Sequence, residues 1–285
     1  MTPRVVAHLA EGQGGLALYL VALGVGLAWA IRRMTASAAG GSPDRRDDRL
    51  RDAALVGGVI AVTLALVEPV EHYADRLFWV HMAQHVVLLT VAAPLLAFGA
   101  PWRFAPLALL TRWRRWFSGR GSVAMISASA AAAWIVFNAT FLVFHVPFLY
   151  DAAIRDVGVH LIEHALFLAT AVWFWAAVFD ARSFRTEPVE LWRAGYVLAA
   201  AGVGWFLAII LTFARDPLYT EYARLSVRPG GISALADQQL AAGVMLVPGS
   251  ITFLLIAGIA ITRWLGTGAP EPTPPFPLNH EEMSA

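Results

Sequence analysis

The chain has 285 residues, 58% hydrophobic and 14% charged, with a formal net charge of +1 and no cysteine. A mean hydropathy of +0.61 is too high for an ordinary soluble globule and predicts an integral membrane protein. The missing cysteines exclude disulfides, thiolate metal ligands and a cysteine nucleophile, and no basic, aromatic-interleaved stretch suggests nucleic acid.

Seven apolar runs are long enough to cross a hydrocarbon core of about 30 Å: 14–31, 53–68, 79–98, 122–143, 158–179, 193–213 and 238–262. They predict an all-α polytopic membrane protein with a seven-helix domain over 1–265. The first run ends in Ala28-Trp29-Ala30, which resembles a signal-peptidase site, but Arg32 and Arg33 follow and a retained helix is expected. The connection 35–51 reads as a solvated, topology-setting linker. Pro69 and Pro147 should stop the second and fourth helices, while Pro94 and Pro248 should bend the third and seventh. The tail 266–285 carries five prolines between Pro270 and Pro277, and is expected to be extended or disordered.

Every basic residue is arginine, and 15 of the 21 fall in 32–51, 103–120, 182–193 and at Arg263. By the positive-inside rule this places the N-terminus outside and the C-terminus in the cytoplasm. Trp79 at the outer boundary, and Trp102, Trp113, Trp116, Trp192 and Trp264 at the inner one, fit the aromatic belts of a membrane protein.

Two of the predicted helices begin with the same word, His81-Met-Ala-Gln-His85 and His160-Leu-Ile-Glu-His164. Histidines four apart share a helix face with Cβ atoms roughly 5–6 Å apart, a spacing at which two imidazoles can hold one metal ion. With the predicted topology, His72, His81, His85, His145, His160 and His164 all lie at the outer membrane face, together with Glu68, Glu71 and Asp237. The same convergence is open to a plainer reading, in which single histidines such as His72 and His145 are interfacial caps. Asp237 is open between capping its own helix and serving as a site carboxylate.

Imidazoles supported by carboxylates suit copper, zinc or iron. Gln84 and Glu163 occupy equivalent places before the second histidine of each pair and could orient ligands. Met82 and Met245 could offer thioethers to Cu(I), although a methionine in an apolar helix is ordinarily packing. His160-Leu-Ile-Glu-His164 also fits H-x-x-E-H, in which the glutamate activates zinc-bound water. The companion pair lacks that glutamate, so a shared ligand role accounts for both helices better.

The stretches 81–101, 144–175 and 235–257 resemble the CtaG-type family of cytochrome c oxidase assembly factors. The resemblance implies a bacterial plasma-membrane protein that matures a terminal oxidase, with oxidase subunits and an extracytoplasmic copper donor as partners and copper as the metal. It carries His81, His85, His160, His164, Glu163, Asp237 and Asp151 over as functional residues. The rival readings are a membrane zinc hydrolase with Glu163 as base, a haem-binding redox subunit with axial histidines from helices three and five, and a metal-free assembly scaffold.

Overall fold

The computed structural model describes residues 45–67, 70–99, 123–180 and 188–266, and among these every regular element is helical. In chain order they are α1 (Arg45–Leu66), α2 (Val70–Ala74), α3 (Phe78–Val87), a π-helical turn (Leu88–Ala92), α4 (Ala93–Gly99), α5 (Val123–Phe144), α6 (Pro147–Arg155), α7 (Val157–Phe179), α8 (Val189–Phe213), α9 (Thr220–Ala223), a 3₁₀ turn (Pro229–Gly231), α10 (Ala234–Leu246) and α11 (Pro248–Gly266).

Four stretches are long and apolar enough to cross a membrane: Phe78–Gly99, Val157–Phe179, Val189–Phe213 and Ala234–Gly266. A fifth is added if Ser129–Phe144 and Pro147–Arg155, bent by 73° at Pro147, count as one span. Seven spans are therefore not what the described residues provide. The run 53–68 falls on α1, whose described apolar part, 53–66, is about 21 Å long at 1.5 Å per residue, short of the hydrocarbon thickness. The run 14–31, the proline-rich tail, Glu68 and most of the arginines that set the predicted orientation lie outside the described residues.

The long helix α3–π–α4 is central and packs against α1, α7 and α10, while α5 lies on α7, and α8 on α10 and α11. Where α1 crosses α4, a Cβ on Gly99 would come within 2.9 Å of the Leu55 backbone, so the close approach requires glycine. A core of Phe137, Phe167, Phe174, Trp175, Val197 and Phe253 fills the space between α5, α7, α8 and α11.

Pro94 perturbs its helix in a defined way. Proline has no N–H for the carbonyl four or five residues earlier, and here the preceding turn widens to π geometry over Leu88–Ala92. The carbonyls that residue 94 cannot serve belong to Thr90 and Leu89. Thr252 on α11 donates its hydroxyl to the Thr90 carbonyl at 2.7 Å, and Trp175 on α7 donates its indole N–H to the Leu89 carbonyl at 2.8 Å. The bend is thus satisfied by side chains of two neighbouring helices, as a buried backbone requires. At Pro248 the chain similarly breaks between α10 and α11.

Three short helices, α2, α6 and α9, were not among the predicted spans. Each is far below spanning length. They pack over one end of the bundle, α2 on α3, α6 on α7 and α9 on α6.

Candidate metal centre

The two histidine pairs enter the bundle at this same end. His81 and His85 lie on α3, with His160, Glu163 and His164 on α7. The ring centroids of His85 and His164 are 5.1 Å apart, those of His81 and His160 4.9 Å. Two groups of ligand atoms result, each with its atoms within 4.8 Å of one another: His81, His85 and His164, and His81, His160 and Glu163. His81 belongs to both.

Hydrogen bonds around the cluster determine which nitrogens face it. His81 Nδ1 is 3.0 Å from the Tyr222 hydroxyl, and that hydroxyl donates its single proton to the Ala74 carbonyl at 2.6 Å. His81 Nδ1 is therefore the N–H donor and its Nε2 carries the lone pair, turned toward His85 Nε2 at 2.9 Å. His145 is oriented likewise, its Nδ1–H donating to the Phe141 carbonyl at 2.7 Å, which leaves Nε2 a buried lone pair. Burial pushes the phenols of Tyr219 and Tyr222 above their ordinary value, so both hydroxyls keep their protons.

Within this frame several polar atoms are buried without a hydrogen-bond partner: His85 Nδ1, the Nε2 atoms of His145, His160 and His164, and both oxygens of Glu163. Glu163 Oε1 is 3.8 Å from His85 Nε2 and Oε2 is 4.0 Å from His81 Nε2. Buried polar groups are ordinarily paired, and a buried carboxylate needs a compensating charge. The donor set of neutral imidazoles and one carboxylate fits a divalent or monovalent transition-metal ion.

Other predicted residues take different places. His145 sits behind His85, with ring centroids 6.3 Å apart, and contributes to neither ligand group. His72 is exposed beside Tyr73 and belongs to neither ligand group. Met82 and Met245 are packed in an apolar cluster with Phe78, Leu211 and Tyr219. Gln84 is buried and donates its amide to Glu71 Oε2 at 2.7 Å and to the Ala65 carbonyl at 3.0 Å.

Asp237 and Asp151 act as caps for helices other than their own. Asp237 accepts from the Phe78 and Trp79 amides at 3.0 Å each, clamping the start of α3, while Ser233 caps α10 through the Ala236 amide at 3.1 Å. Asp151 accepts from the Thr220 amide at 3.2 Å, the Thr220 hydroxyl at 2.5 Å and the Glu221 amide at 3.2 Å, fixing α9 and with it Tyr222. Arg228 joins the two systems, donating to the Tyr222 carbonyl and lying 3.8 Å from Asp237. Tyr219 donates to the His145 carbonyl at 3.1 Å. The tyrosines and Arg228 belong to the site's frame and were not among the sequence candidates. Their only signal was a tyrosine-rich stretch, Tyr219-Thr-Glu-Tyr222, in an otherwise polar connection.

The fold and this end of it define a helical protein with four or five stretches long and apolar enough to cross a membrane, and with a buried histidine and carboxylate cluster. Residues 15–267 match the family model described as cytochrome c oxidase caa3 assembly factor (Caa3_CtaG), and the chain belongs to that family. It is also similar to an uncharacterized protein of Mycobacterium leprae (strain TN), 23% identical over 225 residues. That match covers 75% of this chain and 34% of the relative, so the chain spans about a third of the relative's length. No solved structure matches the chain.

Proposed function

We propose that this protein binds a copper ion in the histidine cluster and passes it to a cytochrome c oxidase during assembly of that enzyme, at the outer face of a bacterial plasma membrane. The observation that carries the reading is the set of His81, His85 and His164 nitrogens within 4.8 Å of one another, buried beside the unpartnered carboxylate of Glu163. Membership of the oxidase assembly family supports a cytochrome c oxidase as the recipient. The 2.9 Å separation of His81 Nε2 and His85 Nε2 is a hydrogen-bond distance. Two nitrogens bound at about 2.0 Å and a right angle also stand about 2.8 Å apart, closer to this spacing than the roughly 3.3 Å of a tetrahedral site.

An ion in transit must leave, so an incompletely saturated site split between two helices suits delivery. The test is the metal content of the purified protein after exposure to copper or zinc, for wild type, H81A/H85A and H160A/H164A. Copper retained by wild type and lost in both double variants is expected. Preferential retention of zinc overturns the copper reading in favour of a hydrolase built on His160, Glu163 and His164, and metal retention independent of the histidines overturns the site.

A further inference from the structure

We infer that the ion is loaded through Glu71, which passes it by way of His160 to the inner group of His81, His85 and His164. This deepens the copper-binding reading and rests on it. The first observation is a gradient of exposure. The Glu71 side chain is 35% exposed and that of His160 14%, whereas His81 and His85 are 1% and 2% exposed. The partly exposed groups are thus in line with the buried ones.

The second observation is how Glu71 is held. Its Oε2 accepts from Gln84 Nε2 at 2.7 Å, and Gln84 is itself anchored on the Ala65 carbonyl. The other oxygen, Oε1, lies 3.7 Å from His160 Nδ1. The imidazole of His160 therefore presents Nδ1 to the carboxylate, while its Nε2 is buried and has no hydrogen-bond partner. Its ring is 4.2 Å from that of His164 and 4.9 Å from that of His81. One residue borders both the partly exposed carboxylate and the buried nitrogens.

The third observation is that the two ligand groups overlap at His81. An ion held by His160, Glu163 and His81 can exchange the first two for His85 and His164 while His81 stays bound. An isolated ion in a low-dielectric interior is prohibitively costly, so retaining His81 lowers the barrier for the exchange between the two groups. Glu71 supplies the first negative charge on that path, 3.7 Å from His160. A residue of the path, unlike a ligand of the final site, changes loading and release by the same factor and leaves the equilibrium unaltered.

The experiment uses the full chain in lipid nanodiscs and Cu(II) alone as probe. Loading is followed by stopped-flow tryptophan quenching, release by capture with excess chelator, and Kd by titration, for wild type, E71Q and E71D. The glutamine oxygen can still accept from Gln84, so E71Q keeps that hydrogen bond. We expect loading and release both to slow about tenfold in E71Q with Kd unchanged, and E71D to recover much of both rates. Unchanged rates in E71Q overturn the inference and leave the copper reading standing. A weakened Kd with unchanged loading also overturns it, making Glu71 part of the resting site. Wild type that binds no Cu(II) overturns the inference, and failure to bind Cu(I) under reductant as well removes the copper reading itself.

Discussion

Glu163 Oε1 stands 3.8 Å from His85 Nε2, close enough for attraction and too far for a hydrogen bond. The carboxylate is fully buried and neither oxygen has a hydrogen-bond partner. A group arranged this way costs stability until a cation arrives, and then contributes to holding it. E163Q should therefore act with opposite sign on the two states. Without metal, its apparent Tm should rise, and its copper affinity should fall by about tenfold or more. Differential scanning fluorimetry with and without copper checks both, and a lower metal-free Tm would contradict this account of Glu163.

Tyr222 is not a ligand, yet it determines the ligand atom of His81 by accepting the Nδ1 proton while its own proton goes to Ala74. In Y222F the imidazole can adopt the other tautomer, and the Ala74 carbonyl loses a partner. Loss of an orienting hydrogen bond of this kind typically costs about 10–100-fold in metal affinity. Competitive chelator titration of Y222F should show a loss in that range with the stoichiometry unchanged, and an affinity equal to wild type would remove Tyr222 from the site's frame.

Asp237 and Ser233 offer a direct comparison of two caps. Ser233 holds the first turn of its own helix, and S233A should cost about 1 kcal/mol. Asp237 holds two amides of α3 and faces the buried Arg228 side chain, so D237A should cost about 2–3 kcal/mol. Denaturant unfolding in mixed micelles measures both, and equal losses would show that the contact across helices contributes nothing beyond a local cap.

The bonds that Thr252 and Trp175 make to the π turn should depend on Pro94. T252V leaves the Thr90 carbonyl without its partner and should cost about 1–3 kcal/mol. In a P94A background an alanine N–H can serve that carbonyl, so the same substitution should cost clearly less. A double-mutant cycle on unfolding free energies reads the difference as a coupling energy. Additive effects would mean that Thr252 acts by packing alone.

Spacing and hydropathy made the long helices legible: the runs 79–98, 122–143, 158–179, 193–213 and 238–262 fall on described helices with ends displaced by a few residues. The four-residue spacing in His81/His85 and His160/His164 also pointed to faces that do meet. What stayed hidden lies between elements distant in sequence. Asp237 reaches an amide 159 positions away and Asp151 one 69 positions away, and no local pattern distinguishes such a cap from a site carboxylate. His72 and His145 looked alike as lone histidines, but His72 faces outward from a five-residue helix while the bend after α5 carries His145 inward. The frame of Tyr219, Tyr222 and Arg228 sits in a connection whose composition is that of a surface loop, and only its folding over the cluster gives it a role.

The widened turn at Leu88–Ala92 governs the azimuth of everything before it. Adding one residue to a turn rotates the preceding helix by about 100° relative to an unbroken one. His81 and His85 thus look toward α7, while Pro94 and Ala97 beyond the turn keep their own facing. Deleting one residue between 88 and 92 would straighten the rod and swing both imidazoles a quarter-turn or more around it, separating them from His160 and His164 without altering a single site residue. Chain length in that turn is as much a determinant of the cluster as the identities of its histidines.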